Sequence, residues 1–205
     1  MTNLLTEPLP DNVTIHRRRY KINTDFRLMV RLEWLLTEEP ESDERDNALL
    51  SLFCELLPDI ERLSRTVPAA EITEAVLSFY RHGQPPEQPD GEDGEQESTD
   101  RVYSFLHDSA YIYAAFMQAY HMDLTMAGLH WYQFRALLSA LPQDCLFSRI
   151  IDYRGTDLAD VPDGQKDFYR KMKRRYALPL PQSEQEKNDA ITAALMNGGD
   201  LTGVL

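Results

Sequence analysis

Phe105-Leu-His-Asp-Ser-Ala-Tyr-Ile-Tyr-Ala-Ala-Phe-Met-Gln-Ala-Tyr-His121 is the stretch that decides the fold. Its middle, Ala110 to Met117, is an unbroken run of apolar and aromatic side chains, and so has no polar face in any helix it forms. A helix apolar all round is normally covered on several sides, so this one is expected at the centre of a helical domain. Asp123-Leu-Thr125 makes a turn, and Ala127, Trp131, Phe134, Leu138 and Leu141 then recur at helical spacing until Pro142 stops them. These two helices are the expected heart of the fold.

Further helices are expected on the N-terminal side. Asn23-Thr24-Asp25 offers caps for a helix through Phe26, Met29, Val30, Leu32 and Leu36, which Pro40 stops. A second helix starts near Ser42-Asp43, carries Leu49, Leu52, Phe53 and Leu56, and ends before Pro58. Ile60 and Leu63 suit a short further turn. Pro68 suits the first position of a helix striped by Ile72, Ala75, Val76, Phe79 and Tyr80, with Gly83 as its stop. Ahead of them, Val13-Thr-Ile-His16 and Tyr20-Lys-Ile22 alternate apolar and polar residues around Arg17-Arg18-Arg19. That pattern predicts a short β-hairpin with a basic tip, which must lean on the helices because an isolated hairpin is marginal in water.

On the C-terminal side, Phe147 to Tyr153 predicts a short helix, followed by a Gly155-Thr-Asp157 loop. Phe168, Met172 and Tyr176 mark one face of another helix, whose other faces carry Lys166, Arg170, Lys171, Lys173, Arg174 and Arg175. Pro179 and Pro181 break the chain, and Ser183-x-x-Glu186 is a capping box for a last helix. The expected class is mainly α, a helical domain of about seven or eight helices with a short N-terminal β-hairpin. The expected organisation is a leader over 1–12, hairpin plus helices over 13–83, central helices of the same domain over 101–179, and a helix and tail over 180–205. Between the two helical parts, residues 84–100 hold seven acids, no base and no aliphatic or aromatic side chain. Such a segment buries too little apolar area to offset its ordering entropy and reads as a disordered acidic loop.

The net charge of −13 opposes bulk affinity for nucleic acid, which is disfavoured as a partner. The charge is uneven, with bases crowded over 16–21 and 166–175 and acids over 38–46 and 87–100. Such asymmetry favours docking to a charged partner or to a second copy. No apolar run approaches the length of a membrane span. The first residues, Met1-Thr-Asn-Leu-Leu-Thr-Glu-Pro8, lack the basic and apolar regions of a secretion signal, so the chain is expected to stay where it is made. Cys54 and Cys145 both lie among apolar residues and read as small core side chains in a reducing compartment.

Catalytic chemistry finds little support. None of the nine glycines stands in a phosphate-binding pattern. The histidines at 16, 82, 107, 121 and 130 include no pair at i and i+4, and no Cys-x-x-Cys accompanies them. His107-Asp108 has the look of a metal-hydrolase dipeptide, but Asp108 suits the positive end of the following helix. No Gly-x-Ser-x-Gly is present, and no carboxylate pair is singled out. The reading is therefore no enzyme, no catalytic or metal-ligating residue and no cofactor. The strongest local feature is Phe168-Tyr-Arg-Lys-Met-Lys-Arg-Arg-Tyr176, from which Arg170, Lys171, Lys173, Arg174 and Arg175 are the candidate partner-binding residues. These bases also suit contacts within the molecule, which the overall charge favours over a nucleic-acid role.

Three stretches together resemble a known family: Ile22-Asn-Thr-Asp-Phe-Arg27; Tyr111 to Tyr120 followed by Leu129-His-Trp-Tyr-Gln-Phe-Arg-Ala-Leu-Leu138; and Phe147 to Arg154 with Phe168 to Lys173. The family comprises small proteins of temperate phages and prophages of Gram-positive bacteria, encoded in the tail module beside the tape-measure gene and regarded as tail assembly chaperones or tail-module assembly proteins. The resemblance covers residues 13–36 and 102–179. Where the family has an Asp-Gly-like hairpin turn, this chain has Arg17 to Arg19. The resemblance implies a cytoplasmic protein of the bacterial host that binds the tape-measure protein, a long, helical and partly apolar chain. It also implies a homo-oligomer with no catalytic residues. The alternatives are a structural tail or connector component of the virion, and a nucleic-acid-binding regulator using residues 168–176.

Overall fold

The computed structural model describes residues 3–83 and 101–179. Within them the chain is mainly α. A hairpin of β1 (Asn12–Ile15) and β2 (Arg18–Lys21) precedes eight helices: α1 (Phe26–Thr37), α2 (Asp43–Leu56), α3 (Ile60–Leu63), α4 (Ala69–Tyr80), α5 (Ser109–Tyr120), α6 (Trp131–Ser139), α7 (Leu146–Gly155) and α8 (Asp163–Arg175). The expected acidic loop over 84–100 and the expected helix and tail over 180–205 lie outside the described residues.

The hairpin pairs Val13 with Tyr20 and Ile15 with Arg18, and so places Arg18 and Arg19 in the second strand. The tip is His16-Arg17 rather than the expected Arg17 to Arg19, with φ of 48° and 63°. Two consecutive positive φ angles are what a two-residue hairpin turn needs to match strand twist, and here two bulky residues adopt them. The sheet leans on α4: Val13 and Ile15 are buried, and His16 Nε2 lies 2.7 Å from Glu71.

The Ile22–Arg27 stretch proves architectural. Ile22 is buried, and the Asn23 amide donates to Leu56 O at 2.8 Å, which ties the chain to the end of α2. Asp25 caps α1 by accepting from the Arg27 amide at 3.0 Å. Thr24 O accepts from the Trp131 amide at 2.8 Å, and the Phe26 amide donates to Leu129 O at 3.2 Å, so the starts of α1 and α6 are bridged. One Arg27 terminal nitrogen reaches three carbonyls, Leu124 at 2.8 Å, Thr125 at 3.1 Å and Ala127 at 2.9 Å. The Phe26 ring stacks on Phe134 at 4.5 Å, and Phe116 and Trp131 stack on the same ring at 5.4 and 5.9 Å. Phe134 therefore sits where α1, α5 and α6 meet.

α6 begins later than Ala127, at Trp131, because His130 caps it: His130 Nδ1 accepts from the Tyr132 amide at 3.0 Å, and Gln133 accepts from the His130 amide at 3.2 Å. With Nδ1 accepting, Nε2 carries the proton and donates to Pro10 O at 2.9 Å, which fastens the segment before β1. Trp131 is fully buried and donates from Nε1 to Tyr80 O at 2.9 Å, closing the end of α4 against α6. α4 itself starts one residue late, with Pro68 as its cap rather than its first residue. Its exit turns through positive φ at His82 and Gly83, the latter at 73°, as expected of a glycine stop.

Two expectations, for α5 and for Cys54, are overturned. α5 starts at Ser109, not Phe105, and is not wrapped: it buries Ile112, Ala115 and Phe116, while Ala110, Tyr113, Ala114 and Met117 are exposed. Asp108 stands where expected, as the N-cap residue at the positive end of α5, but its side chain makes no cap bond and is held by Arg154 and the Ser104 amide instead. Cys54 is exposed rather than in the core, whereas Cys145 is buried and caps α7, accepting from the Ser148 amide.

Candidate partner-binding surfaces

Two apolar surfaces and one basic surface stand out on this scaffold. The first is a groove of about 590 Å³ between α1, α2, α3 and α4. α1 contributes Leu32 and Leu36, and α2 contributes Leu49, Leu50, Phe53 and Cys54. Ile60 and Ile72 close its far wall. Leu50 is 65 % exposed and Leu36 is 41 % exposed, so the groove opens to solvent with aliphatic side chains at its lip. The only charged side chains lining it, among the described residues, are the acids Asp46 and Glu61. α2 makes one wall because its N-cap Ser42 accepts from the Arg45 amide at 3.1 Å and its first turn carries Asp43, Glu44 and Asp46 at the positive end of the dipole. The same acids give that end of the groove its negative charge.

The second surface is the outer face of α5. Ala110, Tyr113 and Met117 follow at intervals of three and four residues with Ala114 beside them, and Leu106, in the turn before the helix, continues the line. Leu106 is 44 % and Met117 40 % exposed. The result is a ridge of alternating small and large apolar side chains.

The basic surface is α8, which none of its side chains anchors in full burial. Its inner face is Tyr169, Met172, Lys173 and Tyr176; Phe168, expected on that face, sits at the margin with its ring edge-on to Tyr153 at 5.8 Å. The candidate residues divide. Lys173 is turned inward and donates from Nζ to Arg154 O at 2.9 Å. Arg170 pairs with Asp167 one turn back at 2.7 Å. Arg175 lies over the Tyr176 ring at 5.5 Å. Lys171 and Arg174 are exposed and form no ion pair with any described residue. Arg170, Lys171, Arg174 and Arg175 thus share an outward surface, and Lys173 belongs to the interior of the fold. Tyr176 meets Tyr111 of α5 edge-on at 6.3 Å, which brings the basic end of α8 beside the α5 ridge.

Other titratable groups serve the scaffold. The Asp108 carboxylate, next to His107, is held by Arg154 at 2.6 and 2.9 Å and by the Ser104 amide at 3.0 Å. Glu38, nearly buried, pairs with Arg101 and accepts from Ser104 Oγ at 2.7 Å. Glu33 accepts from the Tyr80 hydroxyl; burial pushes its carboxyl above the usual range, although that hydrogen bond pulls the other way. His82 is pushed down to about 4, chiefly by burial and then by Arg135. Among the described residues no group of three His, Cys, Asp or Glu side chains is placed to hold a metal ion, and no helix is long and apolar enough to cross a membrane.

The groove and the ridge escape a reading of the sequence for different reasons. The groove has a trace: Leu49-Leu50 and Phe53-Cys54 widen the apolar stripe of α2 beyond one face. The ridge has none, because an all-apolar run looks the same whether its last face is covered or open.

A family model described as Bacteriophage Gp15 protein matches residues 5–178. No curated protein and no solved structure gives a significant match.

Proposed function

Because the chain belongs to the bacteriophage Gp15 protein family, we infer that it is a phage tail assembly protein, a chaperone that binds the tape-measure protein and associates with itself. It acts in the cytoplasm of the bacterial host by binding rather than by catalysis. The observation that carries this reading is the pair of open apolar surfaces, the α1–α4 groove and the α5 ridge, on a domain whose aromatic centre around Phe134 is otherwise sealed. Exposed contiguous apolar patches mark interaction sites, and grooves between helices are a common receptor for an amphipathic helix. A tape-measure chain is long, helical and partly apolar, and needs such cover before the tail tube encloses it. The outward bases Arg170, Lys171, Arg174 and Arg175 supply attraction for acidic segments of the client and raise the rate of encounter.

The test is co-expression with the tape-measure protein of the same phage, followed by pull-down and light scattering. A soluble complex with several copies of this chain per tape measure supports the reading. A tape measure that still aggregates, with no complex, overturns it, and this chain at stoichiometric amounts in purified particles assigns it to the virion instead.

A further inference from the structure

We propose that the α1–α4 groove is the receptor for the α5 ridge of a second copy of this chain, so that copies join head to tail. The proposal rests on the self-association in the functional reading above and assigns the surfaces that make it.

Shape is the first argument. The groove is concave, open and lined by aliphatic and aromatic side chains, Leu36, Leu50 and Phe53 among them. The ridge is a convex helix face whose anchors Ala110, Tyr113 and Met117 have the spacing that helix-in-groove recognition uses, with Leu106 exposed in the turn just before it. Both surfaces expose large apolar side chains to water, Leu50 at 65 % and Met117 at 40 %, and each removes the other's exposure on contact.

Charge decides for a second copy and for the head-to-tail arrangement. The charged side chains lining the groove are Asp46 and Glu61, with Asp43 and Glu44 in the same first turn of α2. On its Tyr111 side the ridge is flanked by the end of α8, where Tyr176 meets Tyr111 and where Arg174 and Arg175 are exposed; on its other side Tyr113 donates to Asp123, the one acid bonded to the ridge among the described residues. Ridge in groove lets the α8 flank set its bases against the groove acids beside an apolar centre. A groove-to-groove pair leaves two concave surfaces facing each other with acids at both rims, and a ridge-to-ridge pair leaves both grooves open to water. The heterologous contact joins convex to concave and brings the α8 bases toward the groove acids.

The experiment uses the purified full chain without any client, so its outcome is independent of tape-measure binding. Leu50→Asp removes the groove and keeps the ridge; Met117→Asp removes the ridge and keeps the groove. Both side chains are substantially exposed, and circular dichroism confirms that each variant is folded. Sedimentation of the parent is expected to show concentration-dependent association, and each variant alone is expected to weaken it at least about tenfold, as a charge forced into an apolar contact does. An equimolar mixture of the two variants is expected to form a discrete 1:1 heterodimer, since one intact ridge and one intact groove remain and neither end can extend. Cys54, which lines the groove, gives a readout without mutation: its modification by a maleimide slows as the parent is concentrated. A parent that stays monomeric, a Met117→Asp variant that associates like the parent, a mixture that stays monomeric, or a Cys54 rate independent of concentration each overturns the proposal.

Discussion

The Asp108 carboxylate takes both terminal nitrogens of Arg154, at 2.6 and 2.9 Å, with the two side chains only 1 % and 9 % exposed. The guanidinium also donates to Tyr176 O at 2.6 Å and Val102 O at 3.0 Å. One side chain on α7 therefore holds the start of α5, the segment before it and the end of α8. The planar fork of arginine fits this set of acceptors; a lysine has no equivalent geometry.

Removing one partner of that pair leaves the other charged and buried. Asp108→Ala is expected to destabilise the fold by about 3–5 kcal/mol, as broken buried pairs do. Replacing both, Asp108→Leu with Arg154→Met, is expected to recover much of the loss, because no uncompensated charge remains. Urea unfolding of the two variants and the parent checks the order.

The hairpin tip offers a gain. Arg17 sits at φ 63° with no side-chain partner among the described residues. A left-handed conformation costs a side-chain-bearing residue about 1–2 kcal/mol, and a glycine returns about 0.5–1 kcal/mol of that in unfolded-state entropy. Arg17→Gly is therefore expected to stabilise the protein by about 0.5–1 kcal/mol, read as a raised Tm. An unchanged or lowered Tm counts against the strain.

Glu33 sets a pH dependence. Its folded-state pKa lies above the ordinary carboxylate value because of burial, so the folded protein holds this proton more tightly than the unfolded chain. The penalty for ionising it is absent below the unfolded pKa and grows as pH rises through the folded one. Glu33→Gln keeps an acceptor for the Tyr80 hydroxyl and removes the penalty. The variant is expected to exceed the parent in urea midpoint at neutral pH, and the two are expected to converge in acid. His82 works in the opposite window: with its pKa lowered to about 4, the neutral form is favoured in the fold, and stability is expected to fall as pH drops from the ordinary histidine value through about 4.

The thiols separate by burial. Cys54 is exposed and Cys145 buried under α7. Titration of the native protein with an aromatic disulfide reagent is expected to give one fast thiol, with the second appearing only in denaturant. Two fast thiols would place Cys145 in an open site.

Much of the fold is legible because its punctuation is local. Asp25 and Ser42 cap where their side chains bond the backbone two and three residues on, and Pro40, Pro58 and Pro142 stop helices for reasons internal to proline. What escapes is set by distance or by absence. Asp108 and Arg154 are 46 residues apart, and Glu33 and Tyr80 are 47 apart; no periodicity links such partners. Nor does any pattern announce that Met117 is left 40 % exposed. The α8 bases were legible as a cluster, but their orientation was not: only the packing on α7 turns Lys173 inward and leaves Lys171 and Arg174 outside.

The reach of Arg27 across the chain bears on how the protein is made. Its contact with Ala127 spans 100 residues, and the Phe26 ring needs Phe134 to stack against. While the ribosome is still adding α5, the first helices therefore have no finished interior, and Trp131, which closes the end of α4, has not been translated. Folding of the N-terminal part is thus tied to the late arrival of α6. Truncation before that helix is expected to leave an insoluble fragment rather than a smaller working domain, whereas separate chains ending at Gly83 and starting at Arg101 have what they need to find each other when made together.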